Sequence, residues 1–231
     1  MAKVGILLSG VGHGDGSNIL ETVLSYLFLS EAGAEVVFLA PDRAQKEVVD
    51  HRTGVLADER RNILVESSRI GGQQMKAVDT VNSSELDALL IPGGLGVVKN
   101  LSDFEDVGEN CRVDEQVRHL VVGMVRRKKP VGALSMAVVL LARILKNREG
   151  INPTLTVGND AELAGKIHAM GGVHVPTKAD EALVDEENRL VSTCASLSGA
   201  GIAQMAHGIQ NLVRGTLELV HKGANYAGSE G

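Results

Sequence analysis

Residues 131–138 read Val-Gly-Ala-Leu-Ser-Met-Ala-Val. The run rises from Pro130 through apolar and small residues and meets one hydroxyl, Ser135. It then continues as Ala137-Val138-Val139-Leu140-Leu141 with no turn signal. A buried strand that passes through one polar residue into a buried helix has the shape of a nucleophile elbow. A small serine packed between strand and helix in an ordinary core gives the same pattern. Both readings require a direct strand-to-helix step in the interior, the unit from which parallel sheets covered on both faces are built.

The same alternation runs along the chain. Short, nearly continuous apolar runs at 4–9, 35–40, 86–91, 131–134 and 154–157 predict strands. Helical spacing falls between and after them, at 18–31, 59–70, 113–128, 136–146, 160–170 and 199–221. Residues 182–184 and 190–193 flank Asp185-Glu186-Glu187-Asn188 and predict a hairpin-like pair. The pattern is an α/β fold: a flavodoxin-like, doubly wound, mostly parallel sheet with helices on both faces. No repeat, low-complexity stretch or linker divides the chain, so 1–222 reads as one domain and 223–231 as a tail.

Composition narrows the function. Five aromatic residues in 231 leave an aliphatic core and no stacking platform for single-stranded nucleic acid. A net charge of −6 gives no attraction to nucleic acid or to an anionic membrane. The one basic run, Arg126-Arg127-Lys128-Lys129, closes a helical pattern, where cations complement the helix dipole. Cys111 and Cys194 form no metal-type or redox pair, and no cofactor or metal is expected. The longest apolar stretch is too short to span a bilayer, and no signal-peptide pattern opens the chain. A soluble, cytoplasmic protein is expected.

In doubly wound sheets, ligands bind beyond the carboxyl ends of the strands. Three segments meet there. The first carries glycines at 10, 12, 14 and 16, followed by Ser17-Asn18 and a helix start. It nearly matches a dinucleotide loop, with Asp42 placed to hold a ribose, but serine stands where the third glycine belongs. Asn18 with Glu21 three residues later also reads as a plain helix cap. The second segment, Pro92-Gly93-Gly94, is either a tight turn or a pair of amides aimed at a developing oxyanion. The third is Ser135 itself, with His13 in the first loop as a candidate base. His168 and His174 match no metal spacing. Cys111 precedes a helix, whose dipole would lower its pKa; a small residue near a cap is the plainer reading.

Taken together, these residues resemble the ElbB family (enhancing lycopene biosynthesis protein, or isoprenoid biosynthesis glyoxalase). That family belongs to the PfpI-like, class I glutamine amidotransferase-like superfamily. The likeness runs through Leu7 to Glu21, Ala40-Pro41-Asp42, Asp50-His51, Arg61-Asn62 and Ala88 to Gly94. It continues through Lys99-Asn100-Leu101-Ser102, Cys111 to Asp114, Lys129-Pro130, Thr156-Val157-Gly158 and His174-Val175-Pro176. The resemblance implies a cysteine at the elbow, a first-loop glutamate bonded to its sulfur, and a cofactor-free glyoxalase-like activity through a thiohemiacetal. It also implies a homodimer or higher oligomer, and it places a cysteine at Cys111 in relatives.

Here the elbow position is Ser135, the first-loop position is Asn18, and a proline that follows the elbow in relatives is Val138. A serine hydroxyl, unlike a thiol, needs an adjacent base before it attacks anything. Weak or absent activity on glyoxal or methylglyoxal is therefore expected, with a role in binding a dicarbonyl-like small molecule or a partner. Two alternatives stand beside it. One is an active hydrolase or lyase in which Ser135 works with His13 and with Gly93 and Gly94 as oxyanion donors. The other is a nucleotide-binding module on loop 10–17. The helix 199–221 has apolar residues on more than one face, which also argues for self-association.

Overall fold

The computed structural model describes residues 1–148 and 150–227. Its strands are β1 (Lys3–Leu7), β2 (Glu35–Ala40), β3 (Val49–Asp50), β4 (Val55–Leu56), β5 (Lys76–Ala77) and β6 (Ala88–Ile91). After these come β7 (Val131–Leu134), β8 (Thr154–Leu155), β9 (Val173–His174), β10 (Leu183–Asp185) and β11 (Leu190–Thr193). The helices are α1 (Ile19–Glu31), α2 (Ile63–Gly71), α3 (Leu95–Asn100), α4 (Phe104–Val107), α5 (Glu115–Arg126), α6 (Ala137–Leu145), α7 (Ala161–Ala169) and α8 (Ile202–Ala227). Seven strands form one sheet in the order β10-β11-β7-β6-β1-β2-β5. All its pairs are parallel except the hairpin β10–β11. The doubly wound, mostly parallel sheet expected from the sequence is present.

The apolar strands feed two cores by simple alternation. Val4, Ile6 and Leu8 face one side of the sheet with Ala88 and Leu90, covered by α8 residues Met205, Ile209 and Leu212. Leu7, Leu89 and Ile91 face the other, covered by Val117, Leu120 and Val121 of α5 and by most of α6. Strands buried on both faces therefore read as unbroken hydrophobic runs.

Three expectations need correction. The run 154–157 does not join the main sheet; β8 pairs with β9 in a separate two-stranded ribbon. The apolar residues of α8 are mostly spent inside this chain: Met205, Ile209, Leu212, Val213, Leu217 and Leu219 are all buried. They give no argument for association. Helix α8 also continues through 223–227, part of the expected tail, and 228–231 lie outside the described residues. No described helix is long and apolar enough to cross a membrane.

Candidate active site at the elbow

Ser135 leaves β7 with φ 52°, and α6 begins two residues later. The left-handed region is costly for a residue with a Cβ, and such strain persists where the surroundings over-determine it. Here they do. The Ser135 amide donates to the Thr193 carbonyl at 3.0 Å, pinning the turn to β11, and its carbonyl receives the Val138 amide at 3.1 Å. The sharp strand-to-helix turn expected from the sequence is thus formed.

The hydroxyl has a different neighbourhood from the one anticipated. Ser135 is 0% exposed, and its Oγ lies 3.3 Å from the Ser196 hydroxyl. Beneath both lies Glu21, a fully buried carboxyl that sequence patterns assign to a helix cap. Its Oε2 accepts the Gly93 amide at 2.7 Å, and its Oε1 accepts the Ser196 amide at 3.1 Å and the Ser196 hydroxyl at 2.5 Å. Burial pushes the Glu21 pKa up; hydrogen bonds from Ser196, Gly93 and Ser135 pull part of the way back. The next residue back from Ser196, Ala195, is also strained, with φ 42°.

The carboxyl that faces the elbow is therefore Glu21 and not residue 18. Asn18 caps α1, its Oδ1 accepting the Leu20 and Glu21 amides at 3.0 and 3.3 Å. His13 is exposed, and its Nδ1 lies 3.5 Å from the Asn18 amide nitrogen. The hydroxyl of Ser135 is engaged by Ser196 and Glu21, and among the described residues no hydrogen bond joins it to His13, so the pair required by the hydrolase alternative is not assembled. Gly93 is no open oxyanion donor, because its N–H is held by Glu21. Gly94 (φ 103°) starts α3 against the glycine loop: a Cβ there would lie 2.4 Å from the Gly16 carbonyl.

The glycine loop is closed on itself. Gly12 donates to the Ser17 carbonyl, Ser17 donates to the Gly10 carbonyl, and Gly16 donates back to Gly12. Gly10 donates to Ser67 and Gly14 to His51. Those amides have no capacity left for a phosphate, and Asp42 is bonded to Asn62 at 2.9 Å. A nucleotide-binding loop needs the opposite arrangement. Cys111 is buried, with its pKa raised by that burial, contrary to the dipole-lowered thiol considered above; α5 begins four residues later, behind the Asp114 cap. Cys194 is likewise buried and pushed up. Among the described residues, no group of three or more His, Cys, Asp or Glu could hold a metal ion.

Sequence reasoning missed Glu21 and Ser196. In the structure Glu21 shares the buried face of α1 with Thr22, Ser25 and Leu29. Nothing local marks Ser196.

No protein-family model matches the chain. The human glutamine amidotransferase-like class 1 domain-containing protein 3, mitochondrial, is 36% identical over 231 residues, an alignment spanning 96% of this chain and 84% of that protein. The crystal structure of an isoprenoid biosynthesis protein with an amidotransferase-like domain from Ehrlichia chaffeensis is 32% identical. It superposes with a TM-score of 0.87, covering 94% of this chain and 99% of that one. A ThiJ/PfpI domain protein from Brachyspira murdochii, 15% identical with a TM-score of 0.57 over 94% of this chain and 96% of that one, shares the fold alone. The human relative is named mitochondrial, as are ES1 proteins of rat and zebrafish, and this overturns the expectation of a cytoplasmic protein. The chain belongs to the class I glutamine amidotransferase-like family, on its ElbB-like branch.

Proposed function

We propose that this protein is an ElbB-like member with a silent elbow: it turns over glyoxal and methylglyoxal weakly or not at all, and works by binding a small molecule or a partner. The observation that carries this reading is the commitment of Ser135. Its side chain has no exposed surface, and its hydroxyl is engaged by Ser196 and by a carboxyl that also holds the Gly93 amide. A nucleophile needs access to the electrophile and donors waiting for the oxyanion, and neither is available here. The relatives' names favour a mitochondrial setting. The exposed apolar face of α1 favours a homodimer.

The test is turnover of glyoxal and methylglyoxal by the parent chain and by Ser135→Ala. Both should match buffer alone. Ser135→Cys supplies a thiol at the same buried position, with the Gly93 amide still held by Glu21, and should also stay at the buffer rate. Clear turnover by the parent that disappears in Ser135→Ala would make the serine a working nucleophile and end the silent-elbow reading.

A further inference from the structure

A cavity of about 1000 Å³ lies along α5, walled on the other side by the turns 78–85 that lead into β6, and no elbow residue lines it. Arg118 and Arg126 sit two turns apart on α5, and Arg148, from the turn after α6, joins them. The helix dipole accounts for Arg126 at the last position of α5, but not for Arg118 in its first half or for Arg148 from another element.

We propose that this groove binds a small, multiply charged anion, a phosphorylated or polycarboxylate metabolite, gripped by Arg126 and Arg148, with Arg118 held beside them by Glu115. The proposal deepens the binding role above and rests on it only in requiring a ligand. All three arginines line the one groove, and the charges of Arg118 and Arg126 both act on Arg148. Burial lowers the Arg148 pKa, and the charges of Arg118 and Arg126 lower it further. Three carboxylates line the groove, and among the described residues none is paired with Arg126 or Arg148. Glu115 pairs with Arg118, Glu85 accepts the Asn82 amide, and Asp79 accepts Gln116. Arg126 has no ion-pair partner among the described residues. Planar guanidinium forks suit phosphate and carboxylate oxygens, and each such charge-assisted bond adds both strength and direction. No aromatic side chain lines the groove, so there is nothing for a nucleobase to stack on.

The test is calorimetric titration of the full chain at low salt with pyrophosphate and, separately, with citrate. At least one should bind at a single site, more weakly as salt rises. Whichever binds identifies the anion as phosphoryl or carboxylate. Arg126→Gln combined with Arg148→Gln should weaken it by about tenfold or more. Arg214→Gln, which removes an exposed charge from α8, should leave it unchanged. Ser135→Ala should bind like the parent, so failure of the silent elbow, read by turnover, is distinct from failure here. Absence of binding by both probes, or equal weakening by Arg214→Gln, would overturn the proposal.

Discussion

Gly93 has no room for a side chain. A Cβ there would lie 2.6 Å from the Ser135 Oγ, 2.7 Å from its Cβ and 2.8 Å from the Leu134 carbonyl. The last is backbone and cannot swing away. Gly93→Ala should therefore push β6 and the elbow apart and cost about 1–3 kcal/mol, read as a lower denaturation midpoint with an unchanged slope. The elbow was legible because a strand that becomes a helix within two residues must turn sharply at the residue between. Glu21 was not, because its contacts reach 72 residues to Gly93 and 175 to Ser196. A local pattern cannot report such pairings. The cap reading of Asn18 was correct and absorbed Glu21 into the wrong role, since its carboxyl turns inward instead of back to the cap.

Helix α1 is amphipathic the wrong way round. Its buried face carries Glu21, Thr22, Ser25 and Leu29, while Ile19, Leu20, Val23, Tyr26 and Leu27 are 43–47% exposed. These five fall at i, i+1, i+4, i+7 and i+8, a continuous stripe. Water is a poor partner for such a stripe, and a second copy of the same helix is a complementary one. We therefore expect a homodimer through α1. Leu20→Glu with Val23→Glu should give a monomer by sedimentation at micromolar concentration, with circular dichroism unchanged. A parent chain that sediments as a monomer at that concentration would refute the α1 interface. Sequence patterning pointed to α8 because it scores apolar residues without knowing which faces the sheet covers. The two-residue strands β3, β4, β5 and β9 escaped it for a simpler reason: two residues carry no period.

Across the whole molecule, stability integrates a buried carboxyl and a half-buried imidazole whose pKa values move in opposite directions. For Glu21, burial raises the folded value above the ordinary 4.5. Below 4.5 the carboxyl is protonated folded and unfolded alike, and it costs nothing. As pH climbs through the raised folded value, the unfolded chain ionises more easily, and stability is lost. His174 runs the other way. Burial, and then the charge of His168, lower its folded value below 6.5. Above 6.5 it is neutral in both states; below that, the unfolded chain takes up the proton first, and stability falls as the medium acidifies. The fold should thus be squeezed from both sides by groups on opposite halves of the chain. Glu21→Gln removes one side only. The stability of the variant relative to the parent, measured by denaturant unfolding, should rise between about pH 5 and about pH 8. His174→Gln should instead gain on the parent as pH is lowered from about 7 to about 5.5. A Glu21→Gln difference that stays flat across the range would mean that the carboxyl ionises as readily inside the fold as outside it. The hydrogen bonds from Gly93 and Ser196 would then offset its burial, and the carboxyl beneath the elbow would be ionised at neutral pH like any exposed carboxylate.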